Sequence, residues 1–364
     1  MKHLPVTVLV LFALLLTACQ SQEHVVLVSS KDAAKELPAH AARETSRRAV
    51  IAVLDSLTDD QKKTVLHDIK APLRKDWHFI PRDRQGLKLG DMTNEQKALV
   101  RKLMQTALSD SGYLKATDII WLESVLYEMS NQNPVRDPGK YVLQIFGDPA
   151  DEKAAWGWRL EGHHLSLNLT YTPVGIGVTP LFFGASPAVV QQGPLAGKRV
   201  LADAHNLAVE LAKSMNDEQR KKMVLGEKPR DVISGPGREQ ALFKLEPRLG
   251  IPIDRDVLTL EQMDIAQRLE VACFYENFEG RHLVALARQI TGGEVVAPDD
   301  HLTTFVWAGP IDEDEAFYFR IHAPTYIIEY SCQGKNHVHC VIHDLTDPLQ
   351  EDLLKKHFEQ HEHE

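Results

Sequence analysis

The sequence predicts an α+β protein made of two tandem related halves, each a set of helices followed by an antiparallel β-meander, closed into one pseudo-symmetric body. Three observations predict it. Four helix-start signatures recur along the 364 residues. Glycine landmarks recur with them at one long interval. After each helical stretch the pattern changes to short runs rich in aromatic and β-branched residues.

The helix starts are Leu57-Thr58-Asp59-Asp60-Gln61, Met92-Thr93-Asn94-Glu95-Gln96, Met215-Asn216-Asp217-Glu218-Gln219 and Leu258-Thr259-Leu260-Glu261-Gln262. In each, a Thr or Asn side chain satisfies the backbone N–H three positions on, and the Gln there reaches back to the cap. Acidic residues in the first turn suit the helix dipole. Leu57 to Met215 spans 158 positions, Met92 to Leu258 spans 166, and Gly86-Leu87 recurs as Gly250-Ile251 after 164. Phe146-Gly147-Asp148-Pro149 precedes Trp156-Gly157-Trp158-Arg159, as Ala308-Gly309-Pro310 precedes Phe317-Tyr318-Phe319-Arg320, with the two glycines 162 apart. A tandem duplication accounts for every one of these offsets.

Taken in order, residues 1–18 read as a signal peptide. Lys2 and His3 give a weakly basic start, and Leu4 to Leu16 is uncharged, apolar and too short to span a bilayer. The run ends in Leu16-Thr17-Ala18-Cys19, which resembles the lipobox of bacterial lipoproteins and marks Cys19 for lipidation. Gln20 rather than Asp follows Cys19, which points to the outer membrane of a Gram-negative cell, facing the periplasm. Residues 19–45 are polar and lack a strong apolar period, so they read as a tether. A single body over 46–347 follows, divided into halves 46–195 and 196–347. Its predicted helices lie near 46–70, 93–110, 116–130, 203–223 and 259–290. Its predicted strands lie near 141–146, 156–171, 176–183, 302–307, 315–331 and 336–343. The Pro- and Gly-rich stretch from Phe183 to Gly197 is the link between halves. Residues 348–364 form a His-rich tail read as a short helix over the body.

With 43% hydrophobic and 25% charged residues, the chain is neither disordered nor fibrous, and its core needs no metal to hold together. A net charge of -10 with no basic stripe excludes a nucleic-acid surface. Nor does the chain carry a G-x-S-x-G elbow, a Walker A loop or a dinucleotide-binding G-x-G-x-x-G. If Cys19 takes lipid, Cys273, Cys332 and Cys340 remain, an odd set that permits one bridge at most. Cys332 and Cys340 flank the turn signal Gln333-Gly334-Lys335-Asn336, but a two-residue loop would set Cys332 opposite His337, so the bridge stays open.

Three histidine groups carry the candidate chemistry. In Gly162-His163-His164-Leu165-Ser166-Leu167-Asn168, strand alternation places His164, Ser166 and Asn168 in one polar row and His163 with the leucines. In Asn336-His337-Val338-His339-Cys340, two His one residue apart on a strand point the same way and suit one metal ion. The competing reading for both is a solvated sheet face. His322, two positions after Arg320, and Glu329 complete a shell for that metal, and Glu329 lies nine positions after Arg320 just as Asn168 does after Arg159. A two-residue hairpin loop would turn Cys332 and Tyr330 toward His337 and His339, whereas a one-residue slip substitutes Glu329. His357 and His361 in the tail are spaced to chelate, or to fray in solvent. Trp77, Trp156, Trp158 and Trp307 would suit either a sugar-binding groove or the core.

Taken together, the Trp77/Phe79/Pro81 loop, Arg136-Asp137-Pro138 with Tyr141, the segment from Trp158-Arg159 to Asn168, and Arg320 through Glu329 to Asn336-His337 and His339 resemble a bacterial family known as domain of unknown function 3500. The resemblance runs from about Ser46 to His361. It implies the fold unit and the His clusters, and it carries no assigned activity.

The reading is therefore an exported lipoprotein with a divalent transition metal, Zn first and Cu or Fe next. Its ligands are His337 and His339 joined by His163 or His164, with His322 or Glu329 next in line. Asn168, Ser166, Asn336, Arg159 and Arg320 surround them. As a metal-dependent hydrolase it would use Glu329 as general base. The rival is a non-catalytic envelope protein that binds metal, a partner or a glycan. Its expected partners are the membrane through the lipid, a small molecule or an envelope component.

Overall fold

The computed structural model describes residues 38–193, 195–246, 249–280, 282, 303–334 and 337–361. Helices α1 (Pro38–Asp55) and α2 (Asp59–Val65) lead into the short strands β1 (Leu66–His67) and β2 (Leu87–Lys88). Helices α3 (Asn94–Ala107) and α4 (Asp110–Met129) follow, then β3 (Val142–Gly147), β4 (Trp156–Gly162), β5 (Leu165–Thr172), β6 (Gly175–Gly177) and β7 (Leu181–Ala185). The second run is α5 (Ala202–Ser214), α6 (Asp217–Met223), β8 (Ile251–Pro252), α7 (Leu260–Cys273), β9 (Thr304–Ala308), β10 (Tyr318–His322), β11 (Tyr326–Cys332), β12 (Val338–Asp344) and α8 (Glu351–His361). The class is α+β.

All four predicted capping boxes form, at Thr58, Thr93, Asn216 and Thr259. They also do more than start helices. Gln61 Nε2 donates to Gln96 Oε1 at 3.2 Å, and Gln219 Nε2 donates to Gln262 Oε1 at 2.9 Å, so the boxes clasp in pairs. Buried amides are costly unless paired, and these pairs leave few donors unmet.

Twelve strands form one sheet in the order β1-β3-β4-β5-β7-β12-β11-β10-β9-β8, with β2 on β3 and β6 on β5. Arg159 faces Asn168 across β4 and β5, and Arg320 faces Glu329 across β10 and β11. Period-two alternation divides the sheet chemically. One face carries Trp158, Leu160, Leu165, Leu167, Phe319, Tyr330 and Cys340 and packs in the main core that includes the helices. Each fully buried side chain of this kind contributes roughly 1.5–3 kcal/mol. The opposite face carries Arg159, Glu161, Ser166, Asn168, Phe182, Glu329 and His339, all buried. Loop segments cover it through a second small core of Trp77, Phe79, Phe182, Val232 and Val341.

Several expectations change. The first helix begins at Pro38 rather than near Ser46, because its Ala-rich opening turns carry helix propensity without a strong apolar period. The predicted 203–223 helix is two helices, since Asn216 caps a new one. The predicted 156–171 strand turns at His163-His164, and the predicted 315–331 strand turns between His322 and Tyr326. The 259–290 prediction ends as helix at Cys273, and 283–302 lies outside the described residues. The strand β7 occupies Leu181–Ala185, so the link starts after it. Cys273, Cys332 and Cys340 are free thiols, and Cys332 faces Val338 rather than His337. All four of Trp77, Trp156, Trp158 and Trp307 are core residues, which removes the aromatic groove. The tail does form a helix, with Leu353, Leu354 and His357 buried. Among the described residues no helix is long and apolar enough to cross a membrane.

Candidate metal centre

The centre forms where the two innermost strands, β7 and β12, pair antiparallel. His339 sits on β12 opposite Gly184, and His337 lies just before that strand. Spacing by two keeps both rings together, with centroids 4.5 Å apart. His164 arrives from the β4–β5 hairpin. There it holds φ +64°, a left-handed conformation that His tolerates better than most residues. Its backbone is fixed on both sides, because its N–H donates to Phe79 O at 2.9 Å and its carbonyl accepts from Gly184 N at 2.7 Å.

One ring nitrogen from each of His164, His337 and His339 lies within 4.8 Å of the others. The Nε2 atoms of His164 and His337 are 2.8 Å apart. Tetrahedral zinc bonds of 2.0–2.1 Å would separate two nitrogens by about 3.3 Å, so a small opening of this pair admits an ion. His339 Nδ1 meets Asp231 Oδ1 at 2.7 Å. Its Nε2 is buried and, among the described residues, has no hydrogen-bond partner. A carboxylate on one imidazole nitrogen and a free lone pair on the other is the usual arrangement of a metal-bound histidine. Phe79 and Phe182 pack on the same ring at 4.9 and 5.2 Å, which keeps water away from its sides.

The electrostatics favour neutral rings at His164 and His337. Burial, and then the charge of His163, hold His164 well below the usual imidazole range. Burial, then His339, bring His337 down to about 4. At Asp231 burial pushes the carboxyl pKa up, but the interactions with His339, the Val232 N–H and His337 together outweigh it and the net shift is downward. The partner carboxylate therefore stays ionised.

His163 is not part of the triad. Its ring stacks on His164 at 3.7 Å, and its Nδ1 turns away to Glu123 Oε2 at 2.6 Å, with Arg136 Nη1 3.0 Å from the same nitrogen. His322 lies on β10, separated from β12 by β11, and burial beside Arg320 brings it to about 4. Glu329 shares the face of His339, as the slipped register requires, but its oxygens are taken by Ile233, Ser234 and Tyr318. That leaves no lone pair to act as a general base on water. Arg159 Nε donates to Asn168 Oδ1 at 2.5 Å, and Asn168 Nδ2 donates to Ser166 Oγ at 3.0 Å, a network that holds the 73–76 backbone rather than the triad. Arg320 Nη2 donates to Glu246 O at 3.2 Å. Asn336 and Cys19 lie outside the described residues.

The profile of a family described as "Protein of unknown function (DUF3500)" matches residues 39–347. The chain belongs to this family. The DUF3500 match includes all three histidines of the triad and ends before His357 and His361, which the resemblance had placed inside it. No curated protein and no solved structure matches the chain.

Reading the sequence alone missed Asp231, Glu123 and Arg136 as neighbours of the centre. Asp231 is 108 positions from His339 in a Gly- and Pro-rich stretch without a signature. Glu123 did leave a signal: a lone acid within Ile119-Ile120-Trp121-Leu122 and Val125-Leu126, where an unpaired charge would not be buried.

Proposed function

We propose that this DUF3500 chain binds one divalent transition metal, zinc foremost, through His164, His337 and His339, and uses it for hydrolysis at the cell envelope. The observation that carries the reading is the buried, unpartnered Nε2 of His339, backed by Asp231 and set beside the facing nitrogens of His164 and His337. Copper and iron suit an imidazole set as well. Among the described residues no fourth protein ligand joins the cluster. Three histidines with one position left for water is a catalytic type of zinc site, in which bound water ionises near pH 7. His163, held by Glu123 and Arg136, stands directly behind the ligand ring of His164.

The chain works, in this reading, as an exported lipoprotein anchored by Cys19 at the outer membrane, with the residues between Cys19 and the helix that opens at Pro38 as tether and a small molecule or envelope component as substrate. Leu16-Thr17-Ala18-Cys19-Gln20 supports it. We also read the body as a duplication whose halves meet at β7 and β12. The mirrored strand order about that pair, and the matched pairs Arg159–Asn168 and Arg320–Glu329, support this.

One observation favours a second reading, a protein that holds metal without turnover: His164 and His339 are each only 4% exposed. Cobalt-loaded chain separates the two. Azide that shifts the visible cobalt bands marks an exchangeable position and supports the hydrolase; bands indifferent to azide mark a closed site and support the metal-holding protein.

A further inference from the structure

We propose that Glu329 is a positioning residue for the metal centre, fixing the 231–234 loop so that Asp231 meets His339. The inference rests on the metal reading above. Glu329 is fully buried, and four donors converge on its two oxygens. Oε1 accepts from Ile233 N at 2.8 Å and from the Tyr318 hydroxyl at 2.7 Å. Oε2 accepts from Ser234 N at 2.9 Å and from the Ser234 hydroxyl. Two of these donors are consecutive backbone N–H groups, so the carboxylate sets the path of the loop and not just one side chain.

The same stretch is held at other points. His343 Nε2 donates to Ser234 O at 2.8 Å, and Val232 is buried in the small core with Phe79, Phe182 and Val341. Asp231 Oδ1 accepts from Val232 N at 2.7 Å while meeting His339 Nδ1. Glu329 faces Val341, two residues along β12 from His339, which places the anchor about 7 Å along the strand from the ligand it serves. A continuous path therefore runs from Glu329 through the 233–234 backbone to Asp231 and the ring of His339. Metal-bound imidazoles depend on such backing for ring orientation and basicity.

A double-mutant cycle tests this, with zinc affinity measured by chelator competition on the full, untagged chain. Asp231→Asn is expected to weaken zinc binding about 10- to 100-fold. Glu329→Asp keeps the charge but shortens its reach, and is expected to weaken binding within the same range. The double variant is expected to bind no more weakly than Asp231→Asn alone, because both substitutions cut one path. Losses that multiply in the double variant overturn the proposal, as does unchanged affinity in either single variant. If Glu329→Asp does not fold, Ser234→Ala removes one donor and runs the same cycle. A wild-type chain that takes up no zinc overturns the metal reading itself, and this proposal with it, a result distinct from zinc binding that ignores Glu329.

Discussion

His339 shows how much one residue's surroundings decide. Its two nitrogens have opposite fates: one is tied to Asp231 and the other is left without a partner in a buried site. Gly184, its cross-strand neighbour, makes room for this. A Cβ there would lie 3.1 Å from His164 Cγ and Cδ2 and 3.1 Å from His339 Cδ2, tighter than ordinary contact. Gly184→Ala is therefore expected to lower zinc affinity about tenfold while circular dichroism stays that of the wild type. Unchanged affinity would mean the two rings yield freely. The His337-x-His339 pair was legible because a spacing of two on a strand fixes a common face. His164 was legible as a candidate but not in its geometry. Alternation assumed a continuous strand, whereas a two-residue turn without a Gly or Asn signature reverses the chain at His163-His164.

Among the elements, the helix starts were the clearest in sequence, since a capping box is a local code. Their cross-pairing was not, because the partner glutamines lie 35 and 43 positions apart. Gln262 accepts from Thr259 N at 3.0 Å and donates to Ser214 O at 2.8 Å, joining the start of α7 to the end of α5. Gln262→Ala is expected to cost about 1–3 kcal/mol, read as a lower denaturation midpoint in urea at constant slope. A change within measurement error would show the clasp to be ornamental. Sheet register was the hardest element to read. A five-residue connection from Gln333 to His337 replaces the two-residue loop, and the odd number of extra residues reverses which face β11 shows to His339. Tyr330 and Cys332 thus join the helix-side core, while Glu329 and Ser331 share the histidine face.

For the whole molecule, the sheet is covered on both faces and the protein buries polar groups with it, histidines among them. His205, His322 and His343 are all held below the usual imidazole range, chiefly by burial, His322 at about 4. Unfolded, such rings titrate near 6.5. Between those values the unfolded chain binds more protons, so stability is complete above about pH 6.5 and falls as pH drops toward 4. Urea unfolding of metal-free chain from pH 7.5 to 4.5 should show this decline, with a shallower slope in His322→Gln. A slope identical in the variant would remove His322 from the account. The central claim is the metal, and its most direct measurement is metal content by mass spectrometry of untagged wild-type chain beside a His337→Ala/His339→Ala variant. Close to one transition-metal ion per wild-type chain, lost in the variant, is the predicted result; metal-free wild type, or equal metal in both, would contradict it.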